Sequence, residues 1–189
     1  VDIPLIEYVA SRKKPIIMST GMATLGEIED AVRAVRGMGN EQLVLLRCAS
    51  AYPAITNEMN LKTMVNMRET FQVEVGLSDH SMGSIGAVTA VALGASVIEK
   101  HFCLGREIEN PDSTFSMNPK EFGQMVADIR QAEKAIGTIS YGPSRQEKDN
   151  ITFRRSIFCV KDIRRGEPIT EQNIQVIRPG YGMAPKYYK

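Results

Sequence analysis

Four short apolar runs, 15–19 (PIIMS), 42–48 (QLVLLRC), 73–78 (VEVGLS) and 95–102 (ASVIEKHF), recur at intervals of about 25–30 residues. They are largely non-alternating, and each gives way to polar or glycine residues. Strands with that pattern are buried on both faces, as in a parallel sheet covered by helices. The intervals between them carry helical spacing instead. Thr24 and Glu27 form a capping-box pair, followed by Leu25, Ile28, Val32 and Val35 at helical period until Gly37 and Gly39. Leu61, Met64, Val65 and Phe71 outline a second amphipathic helix, and the small residues of 83–92 a third that can approach a sheet closely. Asn118, Pro119 and Glu121 read as cap, first-turn proline and third-position acid of a fourth, whose buried face runs through Phe122, Met125, Val126, Ile129 and Ile136.

The expected fold is therefore α/β, a (βα)₄ unit preceded by a helix that runs into the first strand. Strand spacing suits either a doubly wound sheet or half of a (βα)₈ barrel, and periodicity does not separate them. Because the chain opens on Val1 inside a helical pattern, a piece of a longer enzyme is expected, with a processed N-terminus as the competing explanation. Composition shifts after residue 137 to a polar, turn-rich stretch. The expected organisation is a barrel portion at 1–137, a linker at 138–152 and a small β-rich module at 153–189. In that module 155–160 is strand-like, Gly166-Glu167-Pro168 a turn, and 170–173 the opening of a short helix.

Composition excludes several functions. With 43% hydrophobic and 24% charged residues the chain is in the globular range, and a net charge of +1 lacks the basic footprint of a nucleic-acid binder. Trp is absent and aromatics are few, which also argues against a base-stacking surface. Apolar runs are too short to span a membrane, no signal peptide is seen, and the expected compartment is the cytoplasm. Cys48, Cys103 and Cys159 are odd in number and widely spaced, so they read as small buried residues in a reducing compartment. A nucleophilic Cys48 is rejected, since no His lies near it in the sequence.

Parallel α/β folds gather ligands at the carboxyl ends of their strands. Here those ends read Ser19-Thr20-Gly21, 48–53 (CASAYP), Ser78-Asp79-His80 and Lys100-His101-Phe102. The chain has two histidines, His80 and His101, and both fall on this rim. A pair of imidazoles from neighbouring strands suits a divalent metal with positions left for water and substrate. Two partly buried histidines bonded to backbone are the alternative, and the residues alone leave both open. The hydroxyls of Ser19 and Ser78 near helix starts suit a phosphate, although Ser, Thr and Gly are also ordinary turn residues. Asp112 offers a contact to a substrate hydroxyl or simply solvates its loop, and Tyr52 lines a site or covers the sheet end. Lys100, beside Glu99, reads as a member of a structural ion pair rather than a Schiff-base lysine.

The segments KPIIMSTGMAT, GLSDHSMG, IEKHF and PDSTFSMNP resemble the second half of the sialic acid synthase barrel. The tail, FRRSIFCVKDIRRGEPIT and IRPGYGMAPKYY, resembles the start of the antifreeze-like (SAF) domain that follows it. FRRS, PDSTFS and RPGYG with the following PKY are most similar to the pseudaminic acid branch; N-acetylneuraminate enzymes more often carry Asn where this chain has Ser50. Legionaminic-type and N-acetylneuraminate synthesis remain open alternatives.

The resemblance implies the second half of a TIM (β/α)₈ barrel followed by an incomplete SAF domain. It implies that His80 and His101 bind a divalent metal, typically Mn²⁺, and that Ser19 and Ser78 hold the phosphate of phosphoenolpyruvate. Tyr52 and Ser50 would face the N-acylated amino sugar, with Asp112 contacting its hydroxyls or a metal-bound water. Arg178 would reach the sugar in a partner's barrel within a homodimer of swapped SAF domains. The implied reaction joins C3 of phosphoenolpyruvate to the sugar aldehyde and releases phosphate. The family's general acid/base glutamate and several phosphoenolpyruvate-binding lysines come from the first four strands, so these residues alone are expected to be inactive. A different class, a non-catalytic sugar-binding or assembly module, is the competing reading.

Overall fold

The computed structural model describes residues 1–107 and 110–188. It divides into two compact units, Val1–Gly137 and Thr138–Lys189.

In the first unit, helix α1 (Ile3–Ser11) leads into strand β1 (Ile16–Ser19), and α2 (Leu25–Gly37), β2 (Leu43–Cys48), α3 (Lys62–Phe71), β3 (Glu74–Asp79), α4 (Ile85–Ala92), β4 (Val97–Lys100) and α5 (Pro119–Ile136) follow. All strand pairs are parallel and the order is β1-β2-β3-β4. A doubly wound sheet reverses its order at a switch point; this one does not, so right-handed crossovers put every helix on the same face. The architecture is a half-barrel.

The core lies between that helical layer and the sheet. Leu43, Leu45, Val75 and Leu77, at alternate positions of β2 and β3, pack with Ile28, Val32 and Val35 of α2, Met64, Met67 and Phe71 of α3, and Ala90 of α4. Alternation turns Ile17, Leu46, Gly76 and Ser78 to the opposite, barrel-interior face. Each outer strand, with one neighbour only, is half-covered: Ile17 on β1 is 56% exposed.

Both capping boxes expected from the sequence form. Thr24 N–H donates to Glu27 Oε2 at 2.7 Å, and Asn118 N–H to Glu121 Oε2 at 3.0 Å, with Glu121 N–H returning to Asn118 Oδ1. The backbone N–H of Thr24, then its hydroxyl, holds the Glu27 carboxyl below the usual glutamate range. Glu121 is lowered by the Asn118 backbone first and by Arg106 second.

The second unit is built on an antiparallel pair, β5 (Ser156–Cys159) with β6 (Ile174–Ile177), in the register Ser156↔Ile177. The short helix expected at 170–173 is a turn. Asn173 uses its side chain to bond Thr170 N–H and Pro168 O, which ends the turn directly in β6. The cysteine expectation holds only for Cys48. Cys103 is partly exposed, and Cys159 is exposed at the end of a strand of a two-stranded sheet. Among the described residues no helix is long and apolar enough to cross a membrane.

Leu45 is fully buried at the centre of the core. Leu45→Ala is expected to destabilise the unit by about 2–5 kcal/mol, read by chemical denaturation. A folded-state pKa held below the unfolded value adds stability above the usual glutamate range and loses it as pH falls through the folded value. The first turns of α2 and α5 are therefore expected to fray on acidification, with lowered carboxyl titration midpoints for Glu27 and Glu121 by NMR.

Candidate functional site

Parallel pairing places Cys48 opposite Ser78 and Ser78 opposite Glu99. The residues that come next on β3 and β4 carry the two histidines past the strand ends, and the imidazole centroids lie 5.1 Å apart. His80 is buried, and its Nδ1 lies 3.1 Å from Ala49 O. A carbonyl only accepts, so the nitrogen that faces it, Nδ1, is the donor. His101 turns Nδ1 toward Asp112 Oδ2 at 3.5 Å, within ion-pair range.

Each histidine is also tied to the loop that covers it. Ala54 N–H donates to His80 O at 3.0 Å, and two residues earlier Tyr52 lays its ring 4.3 Å from the His80 imidazole. Met117 N–H donates to His101 O at 2.9 Å, and two residues earlier Phe115 stands 5.0 Å from the His101 ring. Tyr52 and Phe115 meet at 5.6 Å, closing an aromatic wall around the pair.

Of the residues expected from the sequence, His80, His101, Tyr52 and Asp112 come together here. Ser50 stands beside them, its Oγ 3.4 Å from Cys48 Sγ. Gly21 permits that approach: a Cβ there would come within 2.1 Å of Ser50 Oγ. Ser78 is buried on the interior face and donates to Glu99 Oε1 at 2.6 Å. Ser19 is exposed on β1 and lines a cleft of about 430 Å³ with Thr20, Gly21 and residues of α1 and α2. Arg178 is exposed just after β6, in the other unit.

Two points depart from the sequence reading. Lys100 does form an ion pair, but with Asp79 rather than its neighbour Glu99, because successive strand residues point to opposite faces. Cys48, with no His near it in sequence, lies 3.7 Å from His80 Nδ1 because β2 and β3 run in register. Phe115 and Glu99 also stand at the site: Phe115 comes from the PDSTFS loop with no sequence signal to mark it, whereas the strand-face parity of Ser78 and Glu99 places Glu99.

The NeuB family model matches residues 1–141. The chain belongs to the NeuB family. It is 46% identical to the pseudaminic acid synthase of Helicobacter pylori over 100% of this chain and 56% of that protein. It is 40% identical to the N,N'-diacetyllegionaminic acid synthase of Campylobacter jejuni over 100% of this chain and 57% of that one. The crystal structure of N-acetylneuraminic acid (sialic acid) synthetase from Leptospira borgpetersenii matches with a TM-score of 0.72 at 32% identity, covering 79% of this chain and 52% of that chain. The chain thus spans about half the length of the relatives it matches. The likeness of its rim motifs to sialic acid synthases reflects this family membership, and its sheet is the corresponding half-barrel.

Among the described residues no group of three or more His, Cys, Asp or Glu is placed to hold a metal ion. The two imidazoles, 5.1 Å apart at neighbouring strand ends, are a donor pair whose chemistry fits part of a divalent-metal site. When its ring is neutral, His80 is expected to show the Nδ1–H tautomer in long-range ¹H–¹⁵N spectra. An Nε2–H tautomer would contradict the orientation described.

Proposed function

We propose that this chain forms the metal-binding half of a synthase that condenses phosphoenolpyruvate with an N-acylated amino-sugar aldehyde to give a nonulosonic acid, pseudaminic acid in the first instance. The observation that carries the reading is the pair of imidazoles with ring centroids 5.1 Å apart at neighbouring strand ends, on a chain 46% identical to a pseudaminic acid synthase. Legionaminic acid synthesis is the second reading, favoured by 40% identity to that synthase.

His80 and His101 would hold a divalent ion, Mn²⁺ by family likeness. When bound, the ion supplies Lewis-acid polarisation of the aldehyde oxygen. The chain's own residues do the positioning. Ala49 O accepts from His80 Nδ1, Asp112 faces His101 Nδ1, and Tyr52 and Phe115 pack against the two rings. Ser50 and Tyr52 are assigned to the sugar, with Asp112 beside its hydroxyls. Ser19 and Ser78 are assigned to the phosphate of phosphoenolpyruvate.

In the condensation a bond forms between C3 of phosphoenolpyruvate and the aldehyde carbon. Water adds at C2, and phosphate leaves with C–O cleavage. The general acid/base and further phosphate ligands belong to the family's first four strands, so residues 1–189 alone are expected to lack turnover. The second unit is assigned as the start of an SAF domain, with Arg178 reaching a partner's barrel in a swapped homodimer. Three free thiols suit a reducing, cytoplasmic setting.

In the protein containing this chain, phosphate release from phosphoenolpyruvate is expected only with an amino sugar and Mn²⁺ present, fastest with a diacetamido hexose. His80→Ala is expected to lower kcat/KM by a factor of about 10³ or more, as for loss of a group acting at the reacting centre. Turnover that survives both chelation and this substitution would contradict the reading.

A further inference from the structure

Asp79 and Lys100 are among the most completely buried charged side chains in the described structure, at 0% and 1% side-chain exposure. Lys100 Nζ lies 2.9 Å from Asp79 Oδ2 and 2.5 Å from Ser81 O. Asp79 Oδ1 accepts both the N–H and the hydroxyl of Ser81, at 2.8 and 2.7 Å. The pair sits on the helical side of the sheet. Gly86 of α4 leaves room for it: a Cβ there would come within 3.1 Å of Asp79 Oδ2 and Ser81 Oγ, and 2.5 Å of Met59 Cε.

Such a pair is poor at stabilising a fold. Taking two charges out of water costs several kcal/mol per ion, and apolar replacements of similar volume are often neutral or better. Its position suggests another role. Asp79 and Lys100 are direct partners in the β3–β4 register, and each immediately precedes one of the two rim histidines. The ion pair closes across the sheet at the last rung before the chains leave it, and Ser81 fixes the residue beyond His80 to the same carboxylate. His80 is thus held from both sides along its chain, while Lys100 fixes the base of His101.

We propose that Asp79, Lys100 and Ser81 form a positioning clamp that sets the separation and direction of His80 and His101 for one metal ion. They are not catalytic residues: they face away from the histidines and act through the backbone. The inference rests on the two-histidine metal reading above.

The test measures Mn²⁺ affinity of the purified protein, by EPR of free Mn²⁺, below the melting temperature of each variant. Asp79→Asn/Lys100→Met removes both charges together, which avoids stranding one of them in the core. Its Kd for Mn²⁺ is expected to rise about 10-fold or more, the scale of losses when groups supporting metal ligands are changed. Ser81→Ala, which takes two donors' shared anchor down to one and keeps both charges, is the milder companion and is expected to weaken binding several-fold. A merely structural role would lower the melting temperature and leave Kd unmoved. Unchanged Kd in either folded variant overturns the clamp alone. Absence of Mn²⁺ binding in the unsubstituted protein overturns the two-histidine reading and the clamp with it.

Discussion

The parallel register of β2, β3 and β4 is the constraint on which the site depends. Pairing Cys48 with Ser78, Ser78 with Glu99, and Asp79 with Lys100 settles two things together. It levels the strand ends, so that His80 and His101 emerge side by side. It also sorts the rim by face, sending Ser78 and Glu99 to the barrel interior and the buried ion pair to the helices. A slip of one residue would exchange those faces and put the Asp79–Lys100 ion pair where Ser78 and Glu99 now stand. The register is itself held by the apolar contacts of Leu43, Leu45, Val75 and Leu77 with α2 and α3.

Above the sheet, backbone bonding repeats one device on both strands. The carbonyl of each histidine accepts an N–H from a returning loop, and the aromatic two residues before that donor packs on the imidazole. Loops are the mobile part of α/β folds, yet here two of them are pinned to the residues they cover. The consequence is a pair of imidazoles packed against Tyr52 and Phe115 and held side by side at the strand ends. That arrangement suits an ion that shares its coordination with water and substrate, as a catalytic site requires.

Much of this was legible in the residues. The four apolar runs became β1 to β4, and Thr24-Glu27 and Asn118-Glu121 became capping boxes, because those features are local and follow from period and side-chain chemistry. Half-barrel against doubly wound sheet was not legible, since both are built from the same βα units and differ only in which strands are neighbours. The partner of Lys100 and the approach of Cys48 to His80 were hidden for the same reason: each spans 21 or more residues and exists only through strand register. At 170–173 a helix opening gave way to a turn, since the side chain of Asn173 closes the loop into β6. Phe115 shows a further limit, for nothing in a loop sequence distinguishes an aromatic that walls a site from one that fills a gap.

The proposed metal site has His80 and His101 share a single ion. X-ray absorption of the Mn²⁺-loaded protein tests this most directly, since imidazole rings leave a multiple-scattering signature that counts them. Two imidazoles are expected on the ion in the unsubstituted protein and one in His101→Ala. A bound ion with no imidazole, or a count unchanged by that substitution, would contradict it.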